Sequence, residues 1–225
     1  MPPIDAPRSR KGLDPALRPI GREAIKAKIA DHRLWLESDG AAGKQAVFFC
    51  CDLNGADFSQ ASLRMASFEW ADLQAADFRG ADLRGASFYR ADVRGARFDH
   101  ARADAIMMWG ALGQDAGFAK ASLADAFFRY AQLERSAFDR ANLTNADFAD
   151  AVFDGASFRR ATISGVNLWC LSLPPALIEG ARANKRTSLN VPDGFRLQSA
   201  DHPDRWVEFK EGKVKEIDKI TGMEV

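Results

Sequence analysis

The chain has 225 residues, of which 47% are hydrophobic and 28% charged, with 31 basic against 31 acidic side chains. This composition is typical of a folded, soluble protein of one or two domains and excludes a disordered chain. A formal net charge of zero argues against a protein that binds mainly the nucleic-acid backbone, because phosphate binding needs a concentrated positive field.

Residues 1–45 are predicted to form an arm followed by a capping helix. The first residues are rich in Pro and Arg and lead into no apolar segment, so we expect no secretory signal and a cytoplasmic location. The sequence also has no apolar run long enough to cross a bilayer. A helix is predicted over 17–38, because apolar residues recur there at roughly helical spacing and Gly40 follows. These apolar residues are Ile20, Ile25, Ile29, Leu34 and Leu36.

Residues 46–170 divide into 25 blocks of five residues without insertion or deletion. Twenty-one blocks begin with Ala, and the third residue is Phe in twelve blocks and Leu in eight. Asp, Asn, Ser or Thr dominates the second position. All nine prolines lie outside this tract, which indicates that its backbone N–H groups are needed for regular pairing.

A period of five fits neither a helix nor a strand. On a helix each step rotates the Ala position by about 140°, and on a strand an odd step reverses the face. The first and third residues can all point inward if the chain turns a corner after each block, so that blocks form the sides of a stacked coil. The short polar second residue suits such a bend, because its side chain can hydrogen-bond nearby backbone groups.

The motif of Ala, then Asp or Asn, then Leu or Phe, then two variable residues resembles the pentapeptide-repeat family over 125 of the 225 residues. The resemblance implies an all-β solenoid, a right-handed quadrilateral β-helix with four blocks per coil. Third residues twenty positions apart also sort into columns, one of which is wholly Phe. Roughly six coils at about 4.8 Å each predict a rod on the order of 30 Å long. Cys50 and Cys170 would then lie beyond the disulfide reach of about 7 Å, and both are predicted to stay thiols.

Seven aromatic residues of the tract stand outside the third position, and all belong to one side of the predicted coil, with Met107 beside them. The residues of this aromatic side, which are the candidate partner-binding residues, are Phe49, Trp70, Tyr89, Met107, Trp109, Phe127, Tyr130 and Trp169. A large exposed apolar patch usually marks a partner, and interface cores are enriched in these residue types. Three alternatives stay open: the chain covers this side with its own flanks, the side is a homodimer seam, or it binds a foreign protein.

One coil departs from the pattern, since its third residues are Ala103, Met108 and Gly113, and Ile106 replaces an inward Ala. Either small and large positions trade places in a close-packed core, or the coil bulges and presents Met107 and its neighbours to a ligand.

Residues 171–225 are predicted to form a small C-terminal extension of a helix and a hairpin. The short helix is expected from Pro174 to about Ala183, because proline is tolerated in a first helical turn. Segments 205–210 and 213–217 alternate apolar and charged residues around a Gly, which predicts a β-hairpin. A lone hairpin is marginal, so it should pack on the end or the aromatic side of the rod. The two flanks would cap the open ends of the β-helix, whose unpaired backbone invites association.

The sequence contains no arrangement typical of catalysis or metal binding. Its three histidines fall in three separate regions, and it has no Cys-x-x-Cys pair, phosphate loop or dinucleotide motif. We therefore expect a non-enzymatic interaction module without cofactor, which binds a protein partner or a second copy and does not bind nucleic acid directly. The family resemblance implies one alternative, a DNA mimic that modulates or protects DNA gyrase. Such a mimic needs an acidic rod, whereas this tract carries 16 acidic and 13 basic residues, a net charge of −3.

Overall fold

The computed structural model of the protein describes residues 16–172, 178–184, 186–190, 195–210, 213–220 and 223–224. Its helix and strands are β1 (Arg18–Pro19), α1 (Arg22–Glu37), β2 (Cys51–Asp52), β3 (Asn167–Ser172), β4 (Arg182–Ala183), β5 (Ser188–Asn190), β6 (Phe195–Ser199), β7 (Arg205–Lys210) and β8 (Lys213–Asp218). Between β2 and β3 the chain winds through regular stacked turns, together called the coil, and single-residue β-bridges hold successive turns together.

The coil has a period of twenty residues. Second residues of blocks twenty positions apart pair in parallel, from Val47 with Ser67 to Thr162 with Arg182. In each such pair the backbone bonds run both ways: the N–H of Phe48 donates to the carbonyl of Ser67 at 2.7 Å, and the N–H of Ser67 donates back to Ala46 at 2.9 Å. Four blocks therefore make one turn of the coil, which is the period that the aromatic columns of the sequence predict.

A tight turn at the fourth and fifth residues joins successive blocks. The N–H of each first residue donates to the carbonyl of the preceding third residue, as from Ala56 to Leu53 at 3.0 Å. The fifth residue takes a left-handed φ, which is 57° at Gln60. The side chain of the second residue accepts the N–H of the fourth, as Asp57 does from Ser59 at 2.9 Å. The expected hydrogen bonding is confirmed, but the second residue supports the turn that follows it and does not form the bend itself.

The first and third residues of the blocks point inward and form the core. Phe rings twenty residues apart stack, as Phe98 and Phe118 do at 4.8 Å and 6°. They also meet the neighbouring Phe column edge to face, as Phe118 meets Phe128 at 5.8 Å. Both arrangements are favourable for aromatic pairs. The chain has 16 Phe but 2 Tyr residues. This excess follows from the stacks, because a phenolic hydroxyl there would be buried away from water.

The irregular coil keeps the register of the other coils. Ala103, Ile106 and Met108 are fully buried, and the bridges of Arg102 and Met107 continue the twenty-residue pairing on both sides of it. The bulge alternative is therefore wrong. We interpret this coil as locally repacked, with the large Ile106 filling space that the small Ala103 leaves.

The N-terminal helix exists as predicted but is shorter. It begins at Arg22 rather than at Leu17, because Arg18 and Pro19 form β1, which pairs in parallel with β2. Gly21 precedes the helix with an extended backbone. The helix contacts the coil core through Ile25, which belongs to the same buried cluster as the coil residues.

A buried histidine joins this helix to the coil. His32 is fully buried, its Nδ1 accepts the N–H of Ala46 at 3.0 Å, and its Nε2 bonds the carbonyl of Arg64 at 3.0 Å. Because Nδ1 accepts a backbone N–H, the imidazole is neutral with its proton on Nε2. Burial lowers the pKa of His32, which is the direction expected for a base that loses water.

The coil pairing continues past the predicted end of the repeat. Arg182 in β4 pairs in parallel with Thr162, and Ile178 is fully buried. The helix predicted up to about Ala183 is therefore wrong for its described residues, because this segment carries apolar side chains at the inward positions of further blocks. The first part of the predicted helix, residues 174–177, lies outside the described chain.

The predicted hairpin is confirmed, since β7 and β8 pair antiparallel; its turn lies outside the described residues. A further strand, β6, pairs antiparallel with β7 and was not predicted, and the sheet has the order β4-β6-β7-β8. Leu197, Val207 and Phe209 from this sheet belong to the same buried cluster as the coil residues. The extension and the coil therefore share one core.

Cys50 and Cys51 are buried thiols, and the side chain of Cys170 lies outside the described part. Over the residues described, no helix combines the length and apolar character needed to cross a membrane. The domain limits at residues 45 and 170 stay predictions.

Candidate interaction face

The structure brings the predicted aromatic residues together on one side of the coil. They occupy second, fourth and fifth positions of blocks that lie directly above one another, because the blocks are twenty residues apart. Seven of the eight candidates are described there. The eighth, Trp169, lies in β3, and its side chain is outside the described part.

Four of these rings form a ladder along the coil axis. Trp70 and Tyr89 lie 6.2 Å apart, Tyr89 and Trp109 stack at 5.1 Å and 13°, and Trp109 meets Tyr130 at 5.2 Å. The spacing of about 4.8 Å between strands brings rings on neighbouring coils into the range of favourable aromatic pairs. The ladder is therefore already packed before any partner binds.

Arg90 lies across this ladder and was not predicted as part of the aromatic side. Its guanidinium carbon is 4.9 Å from the ring centre of Trp70, 5.7 Å from that of Tyr89 and 5.4 Å from that of Trp109. Cation–π contacts of this kind favour arginine over lysine because the guanidinium is planar and weakly hydrated. Arg90 thus shields three rings and leaves the rest of the side open.

A groove of about 560 Å³ runs beside the ladder. Its lining residues are Glu69, Ser87, Tyr89, Met107, Trp109, Phe127 and Arg129. The second positions of three coils form one wall, and the fourth positions of four coils form the other. Most of the lining is apolar, and the volume lies within the usual range of binding sites, about 300–1,000 Å³.

Charged residues mark the two ends of the groove. At one end Glu69 accepts a hydrogen bond from the hydroxyl of Ser87 at 2.9 Å. At the other end the Nε of Arg129 lies 3.7 Å from a carboxylate oxygen of Asp147, and the Arg129 side chain is 48% exposed. Glu69, Ser87 and Arg129 were not predicted. Glu69 and Arg129 stand at variable positions of the repeat, and Ser87 fits the ordinary pattern of a second residue, so none of them gives a signal until the column is known.

The apolar residues beside the ladder stay exposed. Phe49 is 41% exposed, Met107 41% and Phe127 45%. Self-coverage by the flanks was one of the alternatives, but with the described residues of both flanks in place these three side chains keep more than 40% of their surface exposed. The four ladder residues are half-buried, since they cover one another.

Several charges on the other sides of the coil are paired. Hydrogen bonding from the Arg79 guanidinium lowers the pKa of Asp77, and Arg135 lowers that of Asp115 in the same way. Within the described ranges, no group of three His, Cys, Asp or Glu side chains could hold a metal ion. The groove differs from these paired surfaces, because its lining is mostly apolar and charged residues stand only at its ends.

The sequence profile described as pentapeptide repeats matches this chain in eight copies, over residues 66–102 and 131–169. A pentapeptide repeat protein from the thylakoid lumen of Arabidopsis thaliana is similar in structure, with 27% identity, 52% of this chain and 68% of that chain covered, and a TM-score of 0.38. A trypsin-treated variant of QnrB1, a plasmid-mediated fluoroquinolone resistance protein, has 20% identity, coverage of 63% and 84%, and a TM-score of 0.44. HetL from Nostoc sp. strain PCC 7120, a pentapeptide repeat protein involved in heterocyst differentiation regulation, has 22% identity, coverage of 76% and 81%, and a TM-score of 0.34. No curated protein matches this chain in sequence.

Proposed function

Because the chain belongs to the pentapeptide-repeat family, we propose that it is a non-enzymatic protein–protein interaction module whose binding surface is the aromatic side. The observation that carries the proposal is the exposure of Met107 and Phe127 beside a packed aromatic ladder. Contiguous exposed apolar surface is costly in water and commonly marks an interface, and Met and aromatic residues are enriched at interface cores.

The family fold gives this surface a rigid support. We propose a right-handed β-helix of about six coils, with α1 as the cap at one end and the C-terminal sheet as the cap at the other. The buried His32 bonds and the membership of Leu197 and Val207 in the coil core support the two caps. A rigid surface loses little conformational entropy when it binds, and this favours affinity. A cytoplasmic location is part of the proposal and agrees with the buried thiols of Cys50 and Cys51.

Site-specific photo-crosslinking tests the proposal. Phe127 is replaced by p-benzoylphenylalanine in the full chain, and the protein is irradiated in cells that produce it. We expect a covalent adduct with a protein, either a second copy or a foreign partner, identified by its mass. The control places the same photoreactive residue at Ser59, which is exposed on the opposite side. Equal yields of protein adduct at the two positions, or none at either, would contradict an interface on the aromatic side.

The alternative function, modulation or protection of DNA gyrase by DNA mimicry, needs a surface of dense negative charge, because duplex DNA carries one charge per about 1.7 Å of axis. The most acidic side of this coil contains Asp92 and Asp115. Arg94 bonds both carboxylate oxygens of Asp92, and Arg135 bonds both of Asp115. This side carries six acidic residues in the repeat tract, and the pairing offsets the charge of two of them. The two arginines interrupt the dense negative charge that mimicry needs, which weakens the alternative. Inhibition or protection of gyrase in a supercoiling assay with the purified protein would favour it again.

A further inference from the structure

The charged residues at the two ends of the groove are placed symmetrically about its middle. Glu69 and Arg129 both occupy fourth positions and lie three coils apart, with Tyr89 and Trp109 at the two fourth positions between them. At about 4.8 Å per coil, their positions on the backbone are about 14 Å apart. The stacked contact of Tyr89 and Trp109 lies halfway. The axis of a 180° rotation can lie in the plane of the aromatic side, at a right angle to the coil axis and through this halfway point. Such a rotation brings the carboxylate of one copy opposite the guanidinium of the other.

We propose that the aromatic side binds a second copy of this chain, with the two rods antiparallel and Glu69 of each copy opposite the partner's Arg129. This inference rests on the proposed function, because it names the partner of the same surface. A twofold interface uses the same patch on both subunits, so the patch must complement itself. Opposite charges at equal distances from the axis meet that condition, and complementary charges also fix the register of an interface.

The side chains at both ends retain the capacity to form this pair. The contact of Arg129 with Asp147 is 3.7 Å long, whereas a short charge-assisted hydrogen bond measures about 2.7–2.9 Å. The guanidinium has five N–H donors, so it can bind a second carboxylate. Glu69 accepts from Ser87 through one oxygen, and a carboxylate offers about four acceptor sites.

The same rotation keeps each residue on its own edge of the aromatic side, so second positions face second positions and fourth positions face fourth positions. The exposed Met107 and Phe127 then turn toward small serines of the other copy, Met107 toward the partner's Ser87. Tyr89 turns toward the partner's Trp109. Methionine packs well on irregular surfaces. No two like charges of the groove come face to face. The residues that stay exposed within one chain are thus those that the second copy would cover.

Reversing the charge of Glu69 or of Arg129 tests the proposed dimer. The mass of the full chain is measured in solution by light scattering after size-exclusion chromatography, from low to high micromolar concentration. We expect the wild type to reach the dimer mass, twice the 24.7 kDa of one chain. Glu69→Arg alone and Arg129→Glu alone each place like charges opposite one another and should give the monomer mass. An equimolar mixture of the two variants places an arginine opposite a glutamate at both ends, so the dimer mass should return.

Asp57→Arg, a charge reversal on the opposite side of the coil, is the matched control and should leave the dimer intact. A wild type that stays monomeric throughout the range would overturn the inference. The proposed function would still stand in that case if the photo-crosslinker at Phe127 captured a foreign protein. A dimer that persists in both single charge variants would also overturn it. If a charge variant loses its circular dichroism spectrum, Trp109→Glu tests the same surface, and an unchanged dimer mass there counts against the inference.

Discussion

The repacked coil offers a quantitative test of how the core is filled. Ala103 is the small residue in a column that holds Leu in the two coils on either side of it, and Ile106 is the large residue in a column that holds Ala in the two coils on either side of it. The two residues flank one turn, in which the N–H of Ile106 donates to the carbonyl of Ala103 at 3.2 Å. Both are fully buried. Ala103→Leu and Ile106→Ala together recreate the pattern of the neighbouring coils with the same number of side-chain carbons.

Each single change should destabilise the protein for a different reason. Ile106→Ala leaves a cavity in a rigid core, which typically costs about 2–5 kcal/mol. Ala103→Leu adds three carbons to a filled core, and overpacking of this kind costs about 1–3 kcal/mol. If the two effects were independent, the double variant would lose about 3–8 kcal/mol. Because the added Leu can occupy the space of the lost Ile, we expect the double variant to lie within about 1 kcal/mol of the wild type.

Equilibrium unfolding in urea, followed by circular dichroism, gives the free energies of unfolding of the wild type, the two single variants and the double variant, which form a double-mutant cycle. The coupling energy should be at least about 2 kcal/mol, well above the 0.3–0.5 kcal/mol within which distant sites usually add. Ala103→Leu combined with Ile163→Ala is the control, because Ile163 lies in the same column three coils away, at about 14 Å, and the two losses should add. A double variant at positions 103 and 106 that is as unstable as the sum of its parts would refute the account of the repacked coil.

Three further predictions concern the cap, the ring stacks and the turns. The free energy of unfolding should fall as the pH drops below about 6.5, the ordinary pKa of histidine. Burial lowers the pKa of His32 in the folded state, so below that pH the unfolded chain binds more protons than the folded one. Urea unfolding at several pH values should show that His32→Gln flattens this dependence. Phe118→Leu should lower the free energy of unfolding by about 1.5–4.5 kcal/mol beyond the small effect of the change in buried area, because it removes three aromatic contacts at about 0.5–1.5 kcal/mol each. Two of these are stacked contacts at 4.8 Å, with Phe98 and Phe138, and the third is an edge contact. Ala105→Gly should raise the melting temperature slightly, because Ala105 has a φ of 55° and the left-handed region costs a non-glycine residue about 1–2 kcal/mol, partly offset by the entropy of glycine.

The coil could be predicted from the sequence because its signal is redundant. Every block repeats the same inward pair of residues, so the loss of Ala at Ile106 or of Phe at Met108 does not obscure the period. The grouping of outward aromatics every twenty residues then indicated four blocks per turn, and the pairing of Val47 with Ser67 bears this out. The hairpin of β7 and β8 was predictable for a similar reason, since alternation over six residues reports a half-buried strand.

The remaining errors arose where one local signal competed with a longer pattern. The prolines after β3 suggested a helix, but Ile178 occupies an inward position of a further block, and burial in the coil decides its conformation. The start of α1 was placed too early because Leu17 and Ile20 are apolar, whereas β1 pairs with β2 through backbone groups that carry no sequence signal. Strand β6 was missed because its partner, β7, lies beyond a turn whose residues give no clear hairpin motif.

The charged ends of the groove could be predicted only in part. Glu69 and Arg129 stand in variable positions of the repeat, so neither residue alone indicates a site. The fold relates them to each other, because a rigid coil fixes the distance between fourth positions as a multiple of about 4.8 Å. The period that stacks Phe98 on Phe118 in the core also stacks Tyr89 on Trp109 outside. Inserting or deleting one whole coil between Glu69 and Arg129 would therefore preserve the core and move the two charges by one step. Specificity on such a surface depends on the number of coils between its charges as much as on the residues themselves.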